Sequence, residues 1–444
     1  MKMKKRSLFK SMFFVMLFTL LGTVLAFAED AVKIDTGDTT WIMVSTAFVF
    51  LMTPGLAFFY GGMVRKKNVL NTLMNSFVII ALISVQWVLM GYTIAFGPSI
   101  NGFFGDFSLL GLSGVDMLAP NTDYAATIPH MLFMAFQMMF AIITAALITG
   151  AFAERMKFSV MIIFVLLWST LVYDPLAHWV WNIKGWLGMG GIGALDFAGG
   201  NVVHISSGIA GIVAAIVLGK RKGHGTVQML PHNVPYVVLG AGLLWFGWFG
   251  FNAGSALGAN GLAVSAFVTT NTAAAAATLS WVILEWIRHG KPTLLGAATG
   301  AVVGLVAITP GAGFVSVKAA LVIGFVVSPL CYYGISVLKA KFGYDDALDA
   351  FGCHGIGGIW GGIATGIFAS SNVNGLVKNS GLFYSHDFTQ LGVQLVSIAV
   401  TIAYSGIVTF LILKGISMFT SLRVSKAEEE AGLDYSLHGE TAYR

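Results

Sequence analysis

The chain has 444 residues, of which 57% are hydrophobic and only 10% charged. A soluble domain carries about 25% charged residues, so a water-facing surface is excluded for most of this chain, and the mean hydropathy of +0.81 points to lipid. The net charge of +5 then concerns loop placement rather than nucleic-acid binding, because Lys and Arg of such proteins collect in cytoplasmic loops.

Residues 1–28 read as a secretory signal peptide. Lys2, Lys4, Lys5, Arg6 and Lys10 form a basic start, 13–25 is an apolar core, and Ala26-Phe27-Ala28 is an A-x-A cleavage site. The core is shorter than the ~20 residues a span needs. Cleavage would leave a chain starting near Glu29, outside the cytoplasm.

Eleven later segments are apolar and long enough to be read as transmembrane helices: 40–63, 70–96, 126–152, 158–181, 202–219, 235–256, 262–287, 294–308, 315–338, 351–369 and 390–418. The eighth is short for a full span. Only helices and closed barrels satisfy the backbone in lipid, so the expected fold is an all-α polytopic membrane protein. Five connections placed inside hold Arg65, Lys66 and Lys67; Arg155 and Lys157; Lys220, Arg221 and Lys222; Arg288 and Lys291; and Lys339 and Lys341. The outer segments hold only Lys33, Lys184, Lys318 and Lys378. This alternation predicts an N-out, C-in topology. There are 54 glycines, far above the usual ~7%, which suggests close helix approach.

The first ten spans divide into two sets of five. An odd number per set inverts the second relative to the first, the pattern of inverted-repeat transporters with a site near the midplane. The expected divisions are 29–230, 231–372, an outer loop with the eleventh helix over 373–420, and a cytoplasmic tail over 421–444. His204 follows Asp196 by eight positions, and His354 follows Asp346 by eight, each at the start of a glycine-rich helix in its half.

An ionisable side chain at bilayer depth is a functional-site hypothesis by default. Gly208 and Gly211 follow His204, and Gly358, Gly362 and Gly366 follow His354, so the two helices can pack closely and the imidazoles can meet. Such a pair can donate, accept and relay a proton. Packing histidines bonded to carbonyls are the plainer alternative. No metal is expected. Cys353 points about 100° away from His354 on a helix, no third ligand is evident, and Cys331 and Cys353 form no CxxC motif or disulfide framework.

Phe133, Phe136 and Phe140 share a face of the third span, as do Trp245, Trp248, Phe251 and Ser255 of the sixth. Lipid-facing or core packing is the ordinary reading of such stripes. An aromatic cup that attracts a cation, with Ser255 as acceptor, is the functional one. Trp181 stands at the outer end of the fourth span, where interfacial tryptophans are common. Asp174 and Asp196 lie near the outer side. Asp196 is expected to cap the fifth helix, with direct cation contact the lesser alternative.

The stretches FFYGG (58–62), AERMKFS (153–159), LDFAGGNVVHI (195–205), GWFGFNAGS (247–255), GKPTLLGA (290–297) and FGCHGIGG (351–358) resemble those of ammonium transporters of the Amt/Mep/Rh superfamily, most closely bacterial Amt proteins. The resemblance runs from about residue 40 to the C-terminus. It implies a homotrimer in the plasma (inner) membrane with one pore per subunit, ammonium/ammonia as substrate, no cofactor and no enzymatic activity. Trp181, Ser255 and Phe140 would form an outer recruitment site, which Asp196 supports. Phe140 and Phe251 would be gate rings, Phe136 and Trp248 pore neighbours, and His204 and His354 the twin histidines. The stretch between Trp181 and Asp196 is a few residues longer than the family's usual spacing. The tail AEEEAGLDYSLHGETAYR resembles the region that meets trimeric PII signalling proteins. Rival readings are an ammonium sensor signalling through that tail, a Rhesus-like passive ammonia channel, and a metalloenzyme built on the two histidines.

Overall fold

The computed structural model describes residues 33–443. The expected signal peptide and the new N-terminus at Glu29 lie outside the described residues. Nine described helices are long and apolar enough to cross a membrane: Thr36–Met63, Lys66–Phe96, His130–Phe152, Phe158–Trp181, Gly200–Leu218, Val234–Ala253, Gly261–His289, Val317–Phe342 and Thr389–Ser417. The two remaining expected segments are also helical. Leu294–Ile308 spans 15 residues, and 351–368 is a π-helical turn followed by the helix Ile356–Phe368. Each of the eleven apolar segments therefore forms a helix, and we number them one to eleven in chain order.

The helices pair through glycine. A side chain on Gly208 of helix five would lie 2.2 Å from the Gly355 nitrogen of helix ten, and one on Gly358 would lie 3.1 Å from the Cβ of His204. Residue 204 thus lies opposite 358 and 208 opposite 355, an antiparallel register in which each helix admits the other's histidine. Helices one and six pair the same way. A Cβ on Gly55 would meet that of Leu243 at 2.9 Å, and one on Gly240 would meet the Phe59 nitrogen at 2.2 Å. Small residues let backbones approach this closely, and dispersion and interhelical hydrogen bonds then hold the bundle where lipid offers no hydrophobic drive.

Two connections depart from the plain all-α expectation or add to it. The long link between helices two and three carries a two-stranded antiparallel ladder, Ser99–Ile100 with Phe104–Gly105. The link after helix four folds back on that helix, with the Leu187 and Gly188 amides donating to the Trp179 carbonyl at 3.0 and 2.9 Å.

The opposite face of the bundle is closed by buried ions. Glu154 accepts from the Arg65 amide at 2.8 Å, from Asn68 Nδ2 at 2.9 Å and from Arg221 Nη1 at 3.0 Å. Asp345 accepts from the Arg221 amide, Nε and Nη2 at 2.7, 2.9 and 2.8 Å. The tail docks beside them. Ser425 opens the helix Lys426–Ala431 with a capping box. Glu429 accepts from the Lys222 amide and from Arg423, both at 2.7 Å. Asp434 accepts from the Asn71 amide at 2.8 Å. Burial alone would raise the Asp345 carboxyl, but hydrogen bonds and charge from Arg221 outweigh it and hold the group well below its ordinary 3.8.

Two outcomes follow. Gly208→Val forces helices five and ten apart and lowers stability by about 1–3 kcal/mol in thermal unfolding of the purified protein, whereas Gly392→Ala, with no atom within 4 Å of the new Cβ, is near neutral. Asp345→Asn removes one partner of a buried pair and costs about 3 kcal/mol at pH 7. A carboxylate with a lowered folded pKa stabilises above its unfolded value and loses that contribution as pH falls. The wild type's advantage over D345N is therefore full at neutral pH and shrinks below pH 3.8, as melting curves across pH will record.

Candidate functional site

Helices five and ten begin alike. Asp196 Oδ1 accepts from the amides of Gly199 and Gly200 at 2.8 and 2.6 Å, and Oδ2 from those of Asn201 and Val202 at 2.8 and 3.3 Å. Asp346 accepts from Ala350 at 3.1 Å and Phe351 at 2.8 Å. Helix N-termini leave free N–H groups that a carboxylate satisfies. Each cap is followed by a π-helical turn, Gly200–Ile205 and Phe351–Gly355, and each turn carries its histidine. Such turns are rare and often mark functional sites. Each is followed by a 13-residue α-helix.

The two turns set the imidazoles edge to edge. Nδ1 of His204 and Nδ1 of His354 are 3.3 Å apart, with ring centroids at 5.3 Å and planes 18° apart. Both residues are buried. A hydrogen bond between two imidazoles needs one N–H donor and one bare nitrogen, so the tautomers of the pair are linked. His204 Nε2 is buried and has no partner. It remains free for a passing molecule.

A ladder of rings leads away from the pair. Trp248 lies 5.4 Å from His204 and nearly parallel to it, and Phe251 lies at 6.2 Å. The Trp248 indole donates to Thr309 Oγ1 at 2.8 Å, which fixes its plane. Phe251 and Phe140 stand 4.2 Å apart and tilted by 30°. Phe136 packs on Phe140 at 5.0 Å, and Trp181 meets Phe140 edge-on at 5.8 Å. The Trp181 indole donates to the Asp196 carbonyl at 3.0 Å. Ser255 donates to the Phe251 carbonyl at 2.8 Å, which leaves its oxygen lone pairs free to accept.

These rings divide two cavities. The outer one, about 520 Å³, is lined by Trp181, Phe140, Ser255, Asp196, Gln137 and Asp123 among others. The inner one, about 10 Å³, is lined by Phe251, Trp248, His204 and His354 within an otherwise apolar wall that includes Phe59, Met52 and Ile143. One water needs roughly 10–15 Å³, so the inner cavity takes at most one small molecule. The sequence-selected residues Trp181, Ser255, Phe140, Phe136, Phe251, Trp248, His204 and His354 thus form one continuous column. Asp196 borders it as a cap, with its carboxylate committed to backbone amides. Cys353 packs in an apolar cluster with Cys331 and Val303.

Sequence reasoning missed Thr309, Gln137 and Asp123. Gln137 carried a readable signal, a polar residue in the apolar third helix between Phe136 and Phe140. Asp174, expected near the outer side, is fully buried, with Oδ2 accepting from Gln86 Nε2 at 2.6 Å.

A helical bundle that encloses a constriction lined by aromatic rings and paired histidines has the build of a membrane transporter of small solutes. Residues 40–443 match the Ammonium Transporter Family, and the chain belongs to that family. It is 56% identical over 408 residues to the ammonium transporter of Bacillus subtilis, covering 92% of this chain and 98% of that one. Its fold matches the crystal structure of Saccharomyces cerevisiae Mep2 with a TM-score of 0.82 and 38% identity over 88% of each chain. A solved sensor Amt protein matches with a TM-score of 0.83 and 30% identity, covering 90% of this chain and 98% of that one. The protein is accordingly a multi-pass membrane transporter and not an enzyme.

Asp196→Ala leaves four helix-start amides without their acceptor, and thermal unfolding should register a loss of about 2 kcal/mol. Asp196→Asn keeps one acceptor oxygen and should lose about half as much.

Proposed function

We propose that the protein takes up ammonium by binding the cation in the outer vestibule, removing a proton near the phenylalanine gate, and passing ammonia along the twin histidines. In this reading Trp181, Phe140 and Ser255 hold the cation. Phe140 and Phe251 form the gate, and Phe136 and Trp248 line the path. His204 and His354 guide ammonia and relay the proton separately. Asp196 acts indirectly, through the start of helix five and the Trp181 indole.

The observation that carries the proposal is the pairing of histidines in a constriction of about 10 Å³. A bare ion there would forgo hydration worth tens of kcal/mol in the Born limit. Neutral ammonia does not carry that penalty. Potassium has no proton to lose, so removal of a proton before the dry zone discriminates by chemistry.

Inverted five-helix repeats are supported by the antiparallel mating of helices one with six and five with ten. We place the vestibule outside and the tail inside a bacterial plasma membrane. The convergence of Arg65, Arg155, Arg221, Lys222 and Lys339 on the tail face supports that orientation. Assembly as a homotrimer and contact of a PII-family protein with the tail rest on family resemblance. The division at 230 and 372 follows the paired helices, and that at 420 follows the end of helix eleven at Ser417.

Reconstituted vesicles test the proposal. Wild type should move charge with ammonium and not with potassium. His204→Ala and His354→Ala should each lower the ammonium current by about 100-fold, the scale of a lost proton-transfer group, or admit potassium. Unchanged currents and selectivity in both variants would sink it. Uptake without charge movement would place the protein with passive, Rhesus-like ammonia channels. The likeness to a sensor Amt protein favours a second reading, in which signalling through the tail is the main output. A chain cut before residue 423 that still carries ammonium but no longer signals would support the sensor.

A further inference from the structure

Gln137 stands in the wall of the vestibule with Trp181, Phe140 and Ser255. It precedes Phe140 by three positions on helix three, so both face the same side. Its Oε1 is buried and has no hydrogen-bond partner. A buried amide oxygen without a donor is costly unless something else supplies one. Rotation about the last side-chain bond exchanges the amide oxygen and nitrogen, so a donor in the vestibule can be met by the oxygen.

The remaining groups of the vestibule leave room for such a donor. Trp181 and Phe140 offer ring faces, which attract positive charge but accept no directed hydrogen bond of full strength. Ser255 offers one acceptor, Asp123 adds an exposed carboxylate to the lining, and Asn182 and Asn374 spend their amide oxygens on the Lys184 and Leu376 amides. Asp196 is committed to the amides of residues 199–202. Ammonium presents four N–H donors in a tetrahedron, more than one hydroxyl can meet.

We infer that Gln137 is a cation-binding residue, whose amide oxygen accepts a hydrogen bond from ammonium in the vestibule. The inference rests on the vestibule being the ammonium site. Ammonium gains a further directed acceptor, buried where Asp123 is exposed, and leaves it when it gives up its proton and moves past the gate. The interaction strengthens binding of the cation rather than the passage of ammonia.

Initial rates of ammonium-driven current in vesicles, over a range of ammonium concentrations, separate these terms. Gln137→Leu keeps the volume and removes the acceptor. It should raise KM about tenfold, the effect of one charge-assisted hydrogen bond, and leave the maximal current within about twofold. Gln137→Glu supplies a charged acceptor and should bring KM to or below the wild-type value, with steeper dependence on ionic strength. An unchanged KM in Q137L overturns the inference. So does a fall in maximal current at constant KM, which would mark a packing role beside Phe140. Both variants are compared at matched thermal stability, and recovery of KM in Q137E guards against a folding defect in Q137L. Trp181→Leu and Ser255→Ala, measured alongside, separate the two readings. If both leave KM unchanged, the vestibule is not the ammonium site and the role of Gln137 falls with it. If they raise KM while Q137L does not, only the role of Gln137 fails.

Discussion

Two imidazoles can share a hydrogen bond inside an apolar bundle only if the helices that carry them almost touch. Here the contact is made by backbone against backbone, Gly208 on Gly355 and Gly358 on the start of helix five. Any larger residue at these points would separate the rings beyond the 3.3 Å at which they now meet. The π-helical turns complete the arrangement. Each widens its helix for one turn and re-aims the histidine toward its mate. Asp196 and Asp346 hold those turns open by binding the amides that the turns leave free. Caps, turns, glycines and histidines therefore form one mechanical unit, present twice and joined at its centre.

The rest of the bundle keeps polar groups out of this unit or ties them down. The Trp248 indole is spent on Thr309, and the Trp181 indole on the Asp196 carbonyl. Full charges are placed at the tail face, where Glu154, Asp345 and Arg221 neutralise one another. A buried ion pair contributes little net stability by itself, but loss of one partner is severe. The network ties the loops after helices one, three, five and nine to one another. Through Glu429 and Asp434 it ties them to the tail as well.

Much of this was legible in the sequence because lipid simplifies the code. Long apolar runs mark helices directly, and all eleven were found. His204 and His354 stood out because ionisable residues are rare in such runs and because each follows an aspartate at the same distance. Asp196 was read as a cap from its position alone. The aromatic residues of the column shared helix faces, but periodicity could not tell a pore lining from a lipid face. Only the resemblance to a known family separated them. Other features left no local signal. A π-helical turn is selected by what the widened helix packs against, so the turns before the two histidines were invisible. Thr309 is one hydroxyl among many until Trp248 is seen to need it. The Glu154–Arg221–Asp345 network joins residues up to 191 positions apart in the chain, and Arg221 alone among them carries a signal, as an orientation charge. The short ladder Ser99–Ile100 with Phe104–Gly105 is too brief to show an alternating pattern.

The column also explains why two cavities are needed. A cation is best held where water and ring faces can share its charge, which requires the wide vestibule of about 520 Å³. A neutral solute is best filtered where water cannot follow, which requires the constriction of about 10 Å³. No single cavity does both, because space for hydration admits every small ion. The close contact of Phe140 with Phe251, at 4.2 Å, keeps the two environments distinct over the thickness of two rings. In the proposed mechanism the change of chemical state falls at that contact. The free Nε2 of His204 lies on its far side. It is an unsatisfied polar group of a constriction too small for a hydrated ion, so a cation could reach it only by surrendering its solvent first.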